Sequence, residues 1–400
     1  MKFRQSIGFL IASAILTGNL YAAEDIKIGV TAAFTGGSSS LGVSMRNGVE
    51  LAIKEINAAG GINGHKIVPI VRDDEAKNER GVQIAQELIN NQKIVAVFGF
   101  VNTGVGIASQ GFYQDAKIPV LNNGATGTIL THQFENQAEN YIFSNSVTDA
   151  VQAPMIIEEA VVKRGLKKVA IFSDSTNYGQ LGRQSLEQAL KIKGITPVAV
   201  EKFNVGDINM TPQLLRAKEA GAEVILTYAI GPEVAQIANG MSKLGWKKPI
   251  IGSFPISMAG FIDNAGKNGD GATMPQTFIQ LGNTPKRKAF IEAYIKEFKP
   301  KNDRIESPSS AAQGYDSIYL FAAAVRQANS TEGPKILAAL ENLNANVDGV
   351  VATYHKPFSK KNHDAITPQI AVMGMVENGR VQYEYKEDAE RIARNSSIKK

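Results

Sequence analysis

Asp25-Ile-Lys-Ile-Gly-Val-Thr-Ala32 is followed by a stretch from Gly42 to Ala59, a Gly60-Gly61 pair, and then Lys66-Ile-Val-Pro-Ile-Val71. The first and last of these are short runs rich in β-branched residues, as strands are. Between them Val43, Val49, Ile53 and Ile56 fall near helical spacing, and the glycine pair ends the helix. The unit is therefore strand–helix–strand. It repeats at once: a helix over Gly81 to Asn90, a strand at Ile94 to Phe98 and another at Pro119 to Leu121. Such alternation predicts an α/β fold of parallel strands with helices on both faces.

The pattern begins afresh in mid-chain. A helix is expected over Val147 to Arg164, a strand at Lys168 to Ser173, a helix from Tyr178 to Lys193, and strands at Pro197 to Val200 and Glu223 to Tyr228. A helix from Pro232 to Leu244 then leads to a strand at Pro249 to Ile251. Two similar halves in succession imply two lobes. After Thr273 come helices at Lys286 to Phe298, Ala311 to Ala328 and Pro334 to Leu343, and strands at Val350 to Tyr354 and Gln369 to Val376. The charged residues from Lys386 on are expected to form a flexible tail, 386–400.

Residues Met1 to Ala23 have a different character. Lys2 and Arg4 precede an apolar run from Ile7 to Leu16, and small residues close the segment. These are the parts of a secretory signal peptide, cleaved near Ala22 or Ala23, and the run is too short to span a bilayer. The chain is thus expected in the periplasm. It has no cysteine, so neither a lipid anchor nor a disulfide is available. The formal charge of +5 falls to +3 once Lys2 and Arg4 are gone, too little and too dispersed for nucleic acid.

Enzymatic constellations are missing. There is no Gly-x-Ser-x-Gly elbow and no Walker loop, and His65, His132, His355 and His363 have no zinc-ligand spacing. Gly36 to Ser40 lacks the lysine of a phosphate cradle and reads as a strand-to-helix loop; Asp73-Asp74-Glu75 reads as a turn at a strand end. No cofactor and no metal are expected. Two strand-to-helix junctions do carry clustered small and hydroxylic residues, Gly99 to Gly104 and Asn122 to Gly127. In a doubly wound sheet these lie at the carboxyl ends of strands, where ligands bind, and free N–H groups at a helix start suit a carboxylate. Thr103 and Thr126 could equally be plain N-caps.

The segment Ile56-Asn-Ala-Ala-Gly-Gly-Ile-Asn-Gly-His-Lys-Ile67, followed by Asp73-Asp74, resembles the signature of leucine-binding-protein-like receptors. These are the type I periplasmic substrate-binding proteins of branched-chain amino acid ABC importers. The likeness continues at Ile26 to Val30, Phe98-Gly99, Ala125-Thr126, Asp174-x-x-x-Tyr178-Gly179 and Gly231-Pro232-Glu233. It implies two Rossmann-like lobes joined by a three-crossover hinge: 24–144 with 275–355 as lobe 1, and 145–274 with 356–385 as lobe 2. It also implies a monomer that binds a small carboxylate, by default a branched-chain or related amino acid, and delivers it to an inner-membrane ABC permease. The ligand carboxylate then falls to Thr103 with the backbone of Asn102 or Gly104, a carbonyl and a hydroxyl to Gly124 and Thr126, and a covering aromatic to Tyr178.

Two positions depart from the family pattern. The acidic residue that pairs with an α-ammonium is replaced by Phe254, within Ser253-Phe254-Pro255, and the loop Ala229-Ile230-Gly231 lacks the usual tyrosine. An ammonium buried without an anion costs several kcal/mol. Phe254 and the nearby Tyr228 therefore point to a more apolar or aromatic acid without an α-amine, unless Glu233 or Asp149 supplies the charge. A periplasmic ligand sensor is the other reading that the same fold allows.

Overall fold

The computed structural model describes residues 24–397, so the expected export signal lies outside the described residues. The first half builds a parallel five-stranded sheet: β1 (Ile26–Ala32), β2 (Ile67–Asp73), β3 (Ala96–Phe98), β4 (Val120–Asn122) and β5 (Ile142–Ser144), in the order β2-β1-β3-β4-β5. The connecting helices are α1 (Ser39–Ala58), α2 (Asn78–Glu87), α3 (Thr103–Asp115) and the short α4 (Ile129–His132). Every residue of β3, β4 and β5 is buried, because helices cover both faces of a parallel sheet.

The chain crosses to lobe 2 after β5. There α5 (Asp149–Ile157), β6 (Val169–Asp174), α6 (Asn177–Ile192), β7 (Ala199–Phe203), α7 (Thr211–Glu219), β8 (Val224–Tyr228), α8 (Gly231–Lys243), β9 (Ile250–Gly252), α9 (Ala259–Ala265) and β10 (Thr273–Gln276) follow in turn. It returns to lobe 1 for α10 (Pro285–Phe298), α11 (Pro308–Ala328), α12 (Gly333–Glu341) and a hairpin of β11 (Val347–Asp348) and β12 (Thr353–Tyr354). A third crossing leads to β13 (Val372–Glu377), β14 (Arg380–Tyr383) and α13 (Lys386–Ser397). The second sheet has the order β14-β13-β10-β9-β8-β6-β7, with β13 and β14 antiparallel at one edge.

Three expectations change. The third crossing lies after Ala365, not at 355/356. Phe358 packs edge-on against Phe143 at 5.0 Å, His363 stacks on Phe143 at 4.0 Å, and the Ala365 amide donates to the Ser144 carbonyl, so this stretch belongs to lobe 1. The second crossing follows Gln276, because β10 runs on to that residue beside β13. The tail is helical: Arg391 of α13 donates to the carbonyls of Gln369 and Ala371, which ties the helix to the segment before β13.

Candidate functional site

The carboxyl ends of β3 and β4 set two loops side by side. At the first, Asn102 precedes α3, and the Gly106 amide is bonded to the Asn102 carbonyl. The amides of Thr103, Gly104 and Val105 thus open the helix without intrahelical acceptors, at its electropositive end. At the second, the Ala125 amide donates to Phe100 O, and the Asn122 side chain bonds both the Ala125 amide and its carbonyl. The loops are tied together: the Gly127 amide donates to the Thr103 hydroxyl at 3.3 Å.

Leu41, Val101, Gly124 and Thr126 of lobe 1 face Tyr178, Ile230, Phe254 and Pro255 of lobe 2 across a narrow cavity of about 10 Å3. That is room for about one water molecule, so a ligand enters only when the lobes part. The lobes meet at its rim, where both Asn78 of α2 and Asn177 of α6 approach Gly104. With Tyr178 and Phe254 buried, the cleft is closed.

A buried polar knot lies behind Thr126. Asp149, the first residue of α5, is 1% exposed, and its amide donates to the Thr126 carbonyl. The hydroxyls of Thr126 and Tyr228 stand beside its carboxyl, yet none of the three side chains completes a hydrogen bond of proper length and angle. Burial pushes the Asp149 carboxyl up to about 7, and the neighbouring hydroxyls offset only part of that. No cation pairs with it among the described residues, and its position at the start of α5 adds a favourable field.

Phe254 occupies the wall opposite. Its amide donates to Gln152 Oε1 at 2.9 Å, and its carbonyl accepts from Ser257 Oγ at 2.8 Å and Gln276 Nε2 at 3.2 Å. The next aromatic, Tyr178, hydrogen-bonds the Ser253 hydroxyl, and burial raises its phenol well above the ordinary range.

Of the residues singled out in the sequence, Gly124, Thr126, Tyr178 and Phe254 line the cavity. Thr103 is buried between the two loops. Asn102 donates to the Ser38 hydroxyl at 3.0 Å and keeps a buried, unpartnered Oδ1. Gly104 lies at the meeting of the lobes. Tyr228 lies behind Tyr178, the ring centres 5.5 Å apart, and is not part of the lining. Glu233 turns elsewhere, accepting from the Gly206 amide at 2.8 Å, which leaves Asp149 as the carboxylate at the Thr126 end of the cavity. Leu41, Val101, Ile230 and Pro255 were not legible as lining, since apolar residues at element ends look the same whether they face a core or a cleft. Asp73-Asp74-Glu75 forms a turn: Asp73 accepts from the amides of Phe34 and Glu75, and Asp74 from that of Ala76.

Residues 25–380 match the family described as "Periplasmic binding protein". The chain is 28% identical over 339 residues to the Leu/Ile/Val-binding protein homolog 3 of Brucella melitensis, covering 84% of this chain and 86% of that one. A type 1 periplasmic binding protein from Bordetella pertussis superposes with a TM-score of 0.80 at 28% identity, over 90% of this chain and 99% of that one. The branched-chain amino acid transporter substrate binding protein LivJ of Streptococcus pneumoniae, solved with isoleucine, gives 0.78 at 25% identity, over 90% and 98%.

Proposed function

Because the chain belongs to the periplasmic binding protein family, we propose that it is the exported receptor of an ABC importer. It captures a small carboxylate between its lobes and hands it, as a monomer, to an inner-membrane permease. The start of α3 and the Gly124–Thr126 loop receive the carboxylate, and Tyr178, Ile230 and Phe254 enclose the rest of the ligand. The chemistry is binding and closure alone.

The observation that carries the ligand class is the orphaned Asp149 carboxyl beside Thr126. Buried carboxylates are ordinarily paired or hydrogen-bonded. An α-ammonium placed at Thr126 would supply the missing donors, and this favours a branched-chain or related amino acid in spite of Phe254. The LivJ protein, solved with isoleucine, fits the same reading. Phe254 itself supports a second reading, an aromatic or other organic acid whose hydroxyl, rather than an amine, meets Asp149.

A thermal-shift screen of the ligand-free protein against leucine, isoleucine, valine, benzoate and 4-hydroxybenzoate separates the two. A ligand at a hundred times its Kd adds about 2.7 kcal/mol to stability. Stabilisation by the amino acids in wild type, lost in Asp149→Asn, is the expected result. Stabilisation by the benzoates alone would establish the second reading, and no response to either class would remove the carboxylate reading.

A further inference from the structure

Phe254 is not free to choose its place in the cleft wall. Both polar groups of its backbone are held by amide side chains rooted at the hinge. Gln152, one turn into α5 just beyond the first crossing, accepts from the Phe254 amide at 2.9 Å, and its own Nε2 donates to Val147 O at 3.1 Å. Gln276, the last residue of β10 before the second crossing, donates to the Phe254 carbonyl at 3.2 Å. The Oε1 of Gln276 accepts at 2.8 Å from the Ser309 hydroxyl, which belongs to α11 of lobe 1. Gln152, Gln276 and Ser309 are all fully buried, so these bonds are shielded from bulk solvent.

The geometry points to Gln152 and Gln276 as positioning residues that set what the cleft accepts by fixing Phe254 from two crossings of the hinge; this rests on the cleft being the ligand site. Phe254 lines the cavity across from Gly124 and Thr126, so its position sets the width of the apolar wall. An amide is suited to the task because it supplies a donor and an acceptor from one uncharged group. Gln276 uses both at once, facing Phe254 with the donor and lobe 1 with the acceptor. Rotation of the lobes about the Gln276–Thr277 crossing therefore moves the group that holds the Phe254 carbonyl.

The test uses the full mature chain with Gln152→Met and Gln276→Met, which keep the side-chain length and remove the bonds. Hydrogen exchange over residues 253–258 should quicken at least tenfold in both variants while strands β6 and β8 keep their protection. In binding titrations with leucine and benzoate, the ratio of the two Kd values should change at least tenfold relative to wild type. Unchanged exchange at 253–258, or exchange raised uniformly through lobe 2, overturns the assignment. So does a parallel loss of both affinities with the ratio intact, the signature of a purely structural role. If wild type binds neither probe, the carboxylate reading fails, and the exchange measurement alone decides the positioning role.

Discussion

At the scale of single residues, Asp149 has the most consequential environment. Burial in the closed cleft pushes its carboxyl up to about 7, against an ordinary value near 3.9. The raised value means that the closed form holds this proton more tightly than water-exposed Asp149 would. A ligand ammonium must displace it. Where the ligand-free protein is closed, affinity for an amino acid should therefore rise up to tenfold per pH unit as pH increases toward 7 and level off above it, as titration calorimetry across pH 5 to 8.5 would show. A carboxylate without an amine should give no such rise. Asp149→Asn should weaken an amino-acid ligand by about 3–5 kcal/mol, the cost of breaking a buried charge pair by removing one partner. Equal affinity in variant and wild type would mean that the ligand carries no positive charge at that point. Thr126 and Gly124 stand out in the sequence, in a loop too small and hydroxylic for a core, and they line the cavity; Asp149 does not stand out. Tyr228 lies behind Tyr178 and reaches the cleft only through its hydroxyl beside Asp149. It ends β8, and in the fold its ring is seated over α6, where a Cβ on Gly182 would come within 1.9 Å of the ring.

At the scale of elements, that contact and the one at the mouth of the cleft make separable predictions. A methyl group at Gly182 has no space against the rigid Tyr228 ring. Gly182→Ala should destabilise the protein by about 1–3 kcal/mol in urea denaturation, as overpacking does, and it should disturb Tyr178 through the ring pair. At Gly104 a Cβ would stand 2.8 Å from Asn78 Oδ1 and 2.9 Å from Asn177 Oδ1, the second belonging to the opposite lobe. Gly104→Val should leave the ligand-free melting temperature nearly unchanged and weaken ligand binding about tenfold or more by resisting closure. Binding titrations would expose the error if affinity were unaffected. Elements were legible where the chain spends enough residues on them. The seven-residue β1 and the twenty-residue α1 declare their periods, whereas the three residues of β5 do not. The third crossing was misplaced for a related reason. Residues 358–365 are irregular, and what binds them to lobe 1 is contact with Phe143, some 215 to 220 positions away in the chain, which no local pattern records.

At the scale of the whole molecule, closure about the three crossings is expected to move two preformed bodies, and the burial of Asp149 between them would tie that movement to protons. Its carboxyl is wedged between the Thr126 loop of lobe 1 and Tyr178 and Tyr228 of lobe 2. Parting the lobes admits water to it and returns its affinity for protons toward the ordinary value. Closing the empty cleft thus takes up a proton between roughly pH 4 and 7. Protonation favours the closed form, so the closed-to-open ratio of the empty protein should rise up to tenfold for each pH unit below 7 and be flat above it. The absence of native cysteine makes the measurement direct. Spin labels on Glu79→Cys of α2 and Gln180→Cys of α6, both exposed and on opposite sides of the cleft mouth, report the separation of the lobes. The distance distribution of the ligand-free protein should move toward the short, closed value as pH falls from 8 to 5.5, and Asp149→Asn should abolish the movement. A ligand bearing an ammonium should give the short distance at both pH values, since it replaces the proton as the partner of the same carboxylate. A pH response that survives in Asp149→Asn would assign the coupling to another group and separate closure from the chemistry of this site.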